Sequence, residues 1–287
     1  MKRSIFLVLI WISLSSALLA QDGPERGLSL RNAVGGMLNP SGIGLTSKLY
    51  YTEPLYGERE GILWETARLE MGITNKLSPA YDDVSLELFV EPIAFFDFRS
   101  NIGVRYAYDA LGYGYTPLSS YDENYSNAGS LPSQDETGLF ISLTPRVKAA
   151  AGPIIFLNSL TWNHYSFSID SGDIDEDYFY EPTNDVILKE SEYLIKNSTT
   201  VLYDIPLDVD SGNRYLAGVV YDLLYVPDSE YMSQKASLMA AVQVPFEKWD
   251  MSIDAALILG AFIENRYYAA EDGYIAPAVQ LGLTKGL

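Results

Sequence analysis

The segment Trp162–Ser166 holds the only histidine of the chain, His164, two residues before a serine, Ser166. On a β-strand such residues share a face and lie about 6–7 Å apart along the backbone. A histidine beside a serine can act as its general base when a third group orients the imidazole ring. The sequence identifies no such third group. The pair therefore indicates a nucleophilic hydrolase as one interpretation only, because Trp, His and Tyr also cluster at membrane–water boundaries.

His164 and Ser166 resemble the His-x-Ser element of two outer-membrane lipid hydrolases, lipid A 3-O-deacylase and outer-membrane phospholipase A. In those families the pair faces outward near the outer leaflet, where acyl chains can reach it. The resemblance implies a lipid acyl hydrolase that uses His164 and Ser166. It covers these two residues, and Phe167 stands where those families have asparagine. The alternative is an interfacial aromatic anchor with no catalytic residue.

Acidic residues crowd one long segment, in which Asp173, Asp175 and Asp177 have the one-three-five spacing of a calcium loop. An EF-hand is excluded, because Tyr178 replaces its glycine and Asn184 replaces its final glutamate. A looser site for a divalent cation stays open, beside the alternative of a solvated acidic loop. The sequence contains no cofactor-binding motif, so we expect no cofactor.

Much of the chain alternates apolar and polar residues with a period of two, which is typical of β-strands with two unlike faces. In one segment Val84, Leu86 and Leu88 alternate with Ser85 and Glu87. The same pattern predicts eleven strands, at about 42–53, 62–74, 84–95, 101–111, 137–148, 153–168, 191–204, 213–226, 235–245, 250–264 and 274–286.

The connections between these strands alternate in length, as a meander with two unlike ends requires. Short connections are expected near 97–100, 149–153, 205–213 and 246–249, and mostly longer ones near 112–136, 170–190, 227–234 and 269–273. Bacterial single-chain barrels have an even number of strands, and the region Leu28–Leu38 can supply one more. The sequence thus predicts an all-β fold, an antiparallel transmembrane β-barrel of about 12 strands, with 10 next.

The alternation also predicts which charges line the interior, if the apolar face meets lipid and the polar face meets the lumen. A soluble sandwich would reverse the two faces. The expected lumen-facing residues are Arg68, Glu70, Glu87, Glu91, Arg105, Asp109, Arg146, Lys148, Lys196, Asp222 and Asp254. Their signs nearly balance, so they form either a structural ion-pair network or the lining of a small aqueous path.

The N-terminus has the layout of a secretory signal peptide: Lys2 and Arg3, then an uncharged run, then Ala20. We therefore expect a cleaved signal at 1–20 and one barrel domain at 21–287, with a retained membrane anchor as the alternative. The absence of cysteine excludes disulfides, thiolate metal sites and a lipoprotein anchor. A net charge of −19 repels phosphate backbones and excludes nucleic acid as a partner.

The C-terminal strand resembles the signal read by the outer-membrane insertion machinery, because Val279, Leu281, Leu283 and Leu287 share one face. The family signal closes on Phe or Tyr rather than on leucine, and Lys285 interrupts the apolar face. The resemblance implies the barrel-insertion machinery as a partner during assembly and the bacterial outer membrane, with its lipid, as the location.

The expected function is that of a narrow channel or of a structural or surface-interaction barrel, non-enzymatic and either monomeric or a small oligomer. The lipid acyl hydrolase and a soluble periplasmic β protein that binds a ligand are the alternatives.

Overall fold

The computed structural model describes residues 24–286, apart from the segments 39–40, 57–60, 110–113, 119, 122–132, 168–177, 182–183, 185, 206–212, 247–250 and 266–272. The expected signal peptide lies outside the described residues. Among the residues described, no helix has the length and apolarity needed to cross a membrane.

Alternating, β-branched and aromatic sequence forms long strands over most of the described chain. In order, the strands are β1 Gly27–Leu38, β2 Ser41–Pro54, β3 Arg68–Leu77, β4 Tyr81–Ile93, β5 Phe96–Ala107, β6 Thr116–Leu118, β7 Glu136–Ala151, β8 Ile154–Phe167, β9 Tyr178–Glu181, β10 Val186–Lys189, β11 Ser191–Ile205, β12 Arg214–Val226, β13 Tyr231–Phe246, β14 Met251–Glu264 and β15 Gly273–Gly286.

Twelve of these strands form one closed antiparallel barrel, in which β1 pairs with both β2 and β15. This confirms the predicted fold class and strand number, with β1 in the region expected for the twelfth strand. The other three strands, β6, β9 and β10, pair with one another as a small sheet, which we call the loop sheet. They lie within the two long connections, β5–β7 and β8–β11. We call the end of the barrel with these connections the loop end, and the opposite end, where β1 begins and β15 ends, the terminal end.

The side chains alternate across the barrel wall as a membrane-embedded barrel requires. On β4, Val84, Leu86 and Leu88 are 48%, 61% and 38% exposed, whereas Asp83 and Ser85 between and beside them are buried. The other long strands also carry exposed large apolar residues on the outer face. The apolar faces therefore point outward, which is the opposite of a soluble sandwich.

One short connection was predicted in the wrong place. The expected turn at 97–100 lies inside β5, and the chain reverses at residues 94–95. The physical reason is that Asp97, an acid typical of turns, is buried in the wall and pairs with Arg146 at 2.9 Å and Lys148 at 3.1 Å.

A polar patch interrupts the apolar outer face on β8 and β11. The side-chain amide of Asn158 donates to the Thr199 hydroxyl at 2.8 Å and to the side-chain oxygen Oδ1 of Asn197 at 3.3 Å. Exposed Leu160 and Val201 flank this patch along the two strands. The patch therefore lies inside the apolar belt, where polar groups are costly and need partners.

Candidate functional site

The loop sheet packs against the inner surface of the barrel wall at the loop end. Its barrel-directed face carries Phe179, Val186 and Leu188, all 0% exposed. These residues belong to one apolar cluster with inward-facing residues of the wall: Ala107, Phe140, Tyr165, Phe167, Leu194, Val226 and Tyr231, together with Tyr115 of the β5–β7 connection. Apolar packing thus holds the loop sheet against the inside of the wall.

A glycine in the wall makes room for this cluster. A Cβ atom on Gly138 of β7 would lie 1.9 Å from Cδ1 of Phe167, far inside contact distance. The Phe167 ring therefore lies across the backbone of β7 and stacks edge-on against Tyr115, with centroids 4.7 Å apart. Only glycine leaves this space at position 138.

An ion pair ties the loop sheet to the wall. Arg105 of β5 donates to both carboxylate oxygens of Asp83, at 2.7 and 2.8 Å, and its Nη1 donates to Glu181 Oε1 at 3.0 Å. Asn184 donates to the other Glu181 oxygen from its backbone N–H at 2.7 Å and from its side-chain amide at 2.6 Å. Lys196 of β11 donates to the side-chain oxygen Oδ1 of Asn184. This chain of contacts links β5 to β11 through Glu181 and Asn184.

A second attachment holds the β10 side of the loop sheet. The buried carboxylate of Glu192 accepts from the Lys189 backbone N–H at 2.6 Å and from the Tyr121 hydroxyl at 2.9 Å. Burial and the bond to Glu192 raise the pKa of the Tyr121 phenol above its usual value. The hydroxyl therefore remains a donor through neutral and mildly alkaline pH.

Six alternating charges form an ion-pair network on one side of the lumen, nearer the terminal end: Arg68, Glu70, Glu91, Asp97, Arg146 and Lys148. Glu91 is central, accepting from Arg68 at 2.7 Å and from Lys148 at 2.6 Å. Three bases meet three acids, so this part of the wall has no net charge.

A different arrangement surrounds Glu87 on β4. Lys48 donates to its two oxygens at 2.8 and 2.9 Å, Thr74 approaches at 3.4 Å, and Arg99 Nε stays 3.8 Å away. Arg31 of β1 lies directly opposite Lys48 in the strand register. Basic residues therefore outnumber carboxylates here.

The opposite side of the lumen is apolar towards the terminal end. Inward-facing Ile155, Leu157, Leu202, Leu216, Val220, Met239 and Ala256 form one buried cluster. This side also buries Lys235, Gln243 and Asp254, so the interior has one side rich in ion pairs and one that is mainly apolar.

The predicted lumen residues can now be placed. Seven lie in the contacts described above, namely Arg68, Glu70, Glu87, Glu91, Arg105, Arg146 and Lys148. Lys196 reaches the loop sheet, Asp222 accepts from Ser198 at 2.7 Å, and Asp254 is buried on β14.

Asp109 is a correction. The strand β5 ends at Ala107, and Asp109 lies beyond the wall, exposed, where it accepts from the Ser133 hydroxyl. The sequence pattern missed Lys48, Lys76 and Arg99. Lys48 shares the even-numbered polar face of β2, so strand parity could have found it; Lys76 and Arg99 lay outside the predicted strands.

His164 and Ser166 both lie on the outward face of β8, near the loop end. Among the described residues, the hydroxyl that bonds the imidazole is that of Ser191, at 3.2 Å from Nε2, and no hydrogen bond joins His164 to Ser166. The rings of Trp162 and Tyr193 lie beside the imidazole, with centroids 6.4 and 4.7 Å from it. This geometry matches an interfacial aromatic cluster, and the acyl hydrolase stays a prediction that loss of acyl release in His164→Ala would test.

The weak cation candidate, Asp173, Asp175 and Asp177, lies outside the described residues. Within the part of the chain that the structure describes, no group of three or more His, Asp or Glu side chains could hold a metal ion.

No family model and no curated protein matches the chain. Among solved structures, the β domain of the Bordetella autotransporter BrkA is 10% identical, with a TM-score of 0.43, covering 92% of this chain and 100% of its own. An outer-membrane channel from Pseudomonas putida F1 is 8% identical, with a TM-score of 0.45 and coverages of 93% and 98%. The translocator domain of the autotransporter NalP from Neisseria meningitidis is 11% identical, with a TM-score of 0.40 and coverages of 91% and 90%.

Proposed function

We propose that this protein is a narrow channel of the bacterial outer membrane that passes small polar solutes and rests closed at its loop end. The observation that carries the proposal is the charged side of the interior. It runs from Asp97 and Arg146 at the terminal end to Asp83 and Arg105 beneath the loop sheet.

Charges are a poor choice if the interior needs only to be filled. Replacing a buried ion network by apolar residues of similar volume is often neutral or stabilising. This barrel uses apolar filling elsewhere, in the cluster around Leu202 and under the loop sheet. A charged lining on one continuous side is better explained by an aqueous path.

The loop sheet is the natural gate of such a path. It is fastened at two places, by Glu181 to Arg105 and by Glu192 to Lys189 and Tyr121. Because long loops of outer-membrane barrels face the exterior, the gate lies on the cell surface, and the termini face the periplasm.

Location is tested first. A barrel in outer-membrane lipid resists extraction without detergent and migrates differently on a gel before and after heating. Extraction of the protein in buffer alone would refute the membrane location. It would also favour the soluble periplasmic alternative, which the outward apolar faces already oppose.

Conductance tests the function. Purified protein in planar bilayers should show small, infrequent openings, and Glu181→Gln should open more often because it loosens the attachment to Arg105. A matched control is Asp228→Asn, which removes an exposed carboxylate whose nearest cation, Lys189, is 3.9 Å away. Silence of both the wild type and Glu181→Gln, with heat-modifiable migration retained, would refute the channel.

A further inference from the structure

Four basic residues and one carboxylate lie on the inward faces of neighbouring strands on the charged side of the lumen. Arg31, Lys48, Lys76 and Arg99 come from β1, β2, β3 and β5, and the carboxylate is Glu87 of β4. We call these five residues the basic cluster.

Most of these bases lack a carboxylate of their own. Lys76 stands opposite Asp83 in the register and shares that carboxylate with Arg105, which donates to both Asp83 oxygens. Arg31 donates to the Tyr50 hydroxyl at 3.0 Å, which is a neutral partner. Glu87 is the one carboxylate that Lys48 and Arg99 share.

Arg99 carries a direct sign of a missing partner. Among the described residues, its Nε is buried and has no hydrogen-bond acceptor, and the Glu87 oxygen at 3.8 Å is beyond bonding distance. One face of the guanidinium lies against the Phe89 ring, 5.5 Å from its centroid. A buried donor without an acceptor destabilises the fold, and a bound anion would supply the missing acceptor.

The strand register gives a second indication that an anion binds here. Arg31 and Lys48 are direct cross-strand neighbours, and like charges directly opposite one another destabilise a sheet. An anion between the basic strands would remove this repulsion.

We propose that the basic cluster is a binding site for small oxyanions, carrying carboxylate or phosphate groups, inside the channel. The site rests on the proposed channel and names its substrate class: the passage prefers anions although the whole chain carries −19. The guanidinium of Arg99 supplies paired N–H donors that match an oxyanion, and Lys48 and Lys76 supply point charges. Glu87 holds the bases in place and competes with the incoming anion.

Binding is measured first, without any need for conduction. The full-length protein in detergent is melted with increasing inorganic phosphate or acetate, against chloride at constant ionic strength. We expect both oxyanions to raise the melting temperature, and Arg99→Gln and Lys76→Gln to weaken the apparent affinity about tenfold each. Glu87→Gln should act in the opposite direction and strengthen it.

The matched control is Lys189→Gln, which removes a partly exposed base on the loop sheet and should leave the affinity unchanged. An equal phosphate response in Arg99→Gln, Lys76→Gln and the wild type would overturn the site. A variant that fails to fold is recognised by its lost heat-modifiability, and Glu87→Gln then decides by the sign of its effect.

Reversal potentials separate this inference from the proposed function. In a salt gradient, the Glu181→Gln channel should be anion-selective, and adding Arg99→Gln should reduce that selectivity. Current with cation preference would refute the anion site and leave the channel standing. Absence of current together with intact phosphate binding would refute the channel and leave the site.

Discussion

The attachment of the loop sheet through Glu181 predicts a measurable coupling with Arg105. In Glu181→Gln the side chain keeps its shape, and Arg105 keeps both bonds to Asp83. Both Glu181 oxygens accept hydrogen bonds, so the amide nitrogen of glutamine removes the bonds to one of them, and the others lose their charge assistance, which together is worth about 1–2 kcal/mol. The closed-to-open ratio should therefore fall about 5- to 30-fold.

Arg105→Gln should be more severe. It leaves the buried carboxylates of Asp83 and Glu181 without their shared cation, which costs about 3–5 kcal/mol. Single-channel recording gives the closed-to-open ratio of each variant and of the double variant. We expect a coupling free energy of about 1 kcal/mol or more. Additivity within about 0.5 kcal/mol would refute the reasoning that this ion pair holds the gate closed.

Three further variants test the wall and its two faces. Gly138→Ala should push the facing phenylalanine ring out of place and lower stability by about 1–3 kcal/mol, measured by urea unfolding in detergent. Asn158→Leu with Asn197→Leu should raise the melting temperature in lipid, because it removes polar groups from the apolar belt. Glu87→Gln with Glu91→Gln should shift ion selectivity further towards anions, measured as a reversal potential.

The glycine variant has a matched control, and each of the three variants has an outcome that would contradict the reasoning. Gly44→Ala, whose added atom would meet its neighbour at an ordinary 3.5 Å, should be tolerated, and an equal loss in both glycine variants would contradict the close-contact argument. A lower melting temperature in the leucine pair would mean that the polar patch meets protein rather than lipid. Unchanged selectivity in the glutamine pair would show that ions do not pass this side of the wall.

The strands could be predicted because alternation is a local signal, repeated in every wall strand. The loop sheet could not, because β6, β9 and β10 are three or four residues long, and β6 joins the local β9–β10 hairpin only through distant pairing. Their acidic surroundings also indicated a solvated loop, whereas Glu181 is fully buried against Arg105.

Only part of the candidate site could be predicted from the sequence, for a similar reason. Glu87 was found by strand parity, but the bases of the basic cluster come from four separate strands, and only the strand register brings them together. Arg99 was assigned to a turn because Asp97, two residues earlier, is a residue type common in turns. The outward pair His164 and Ser166 was found on one face, but the partner across the sheet, Ser191, needs the β8–β11 register.

The bond between Arg105 and Glu181 joins residues 76 positions apart in the chain. The loop sheet packs on inward-facing residues of six wall strands, β5, β7, β8, β11, β12 and β13, so its place is complete only when those strands have paired. The folding protein would therefore pass through a state in which the strands of the barrel are paired but the loop end is still uncovered. Refolding into vesicles should then show a transient leak of small ions that stops as the last tyrosines become shielded from solvent.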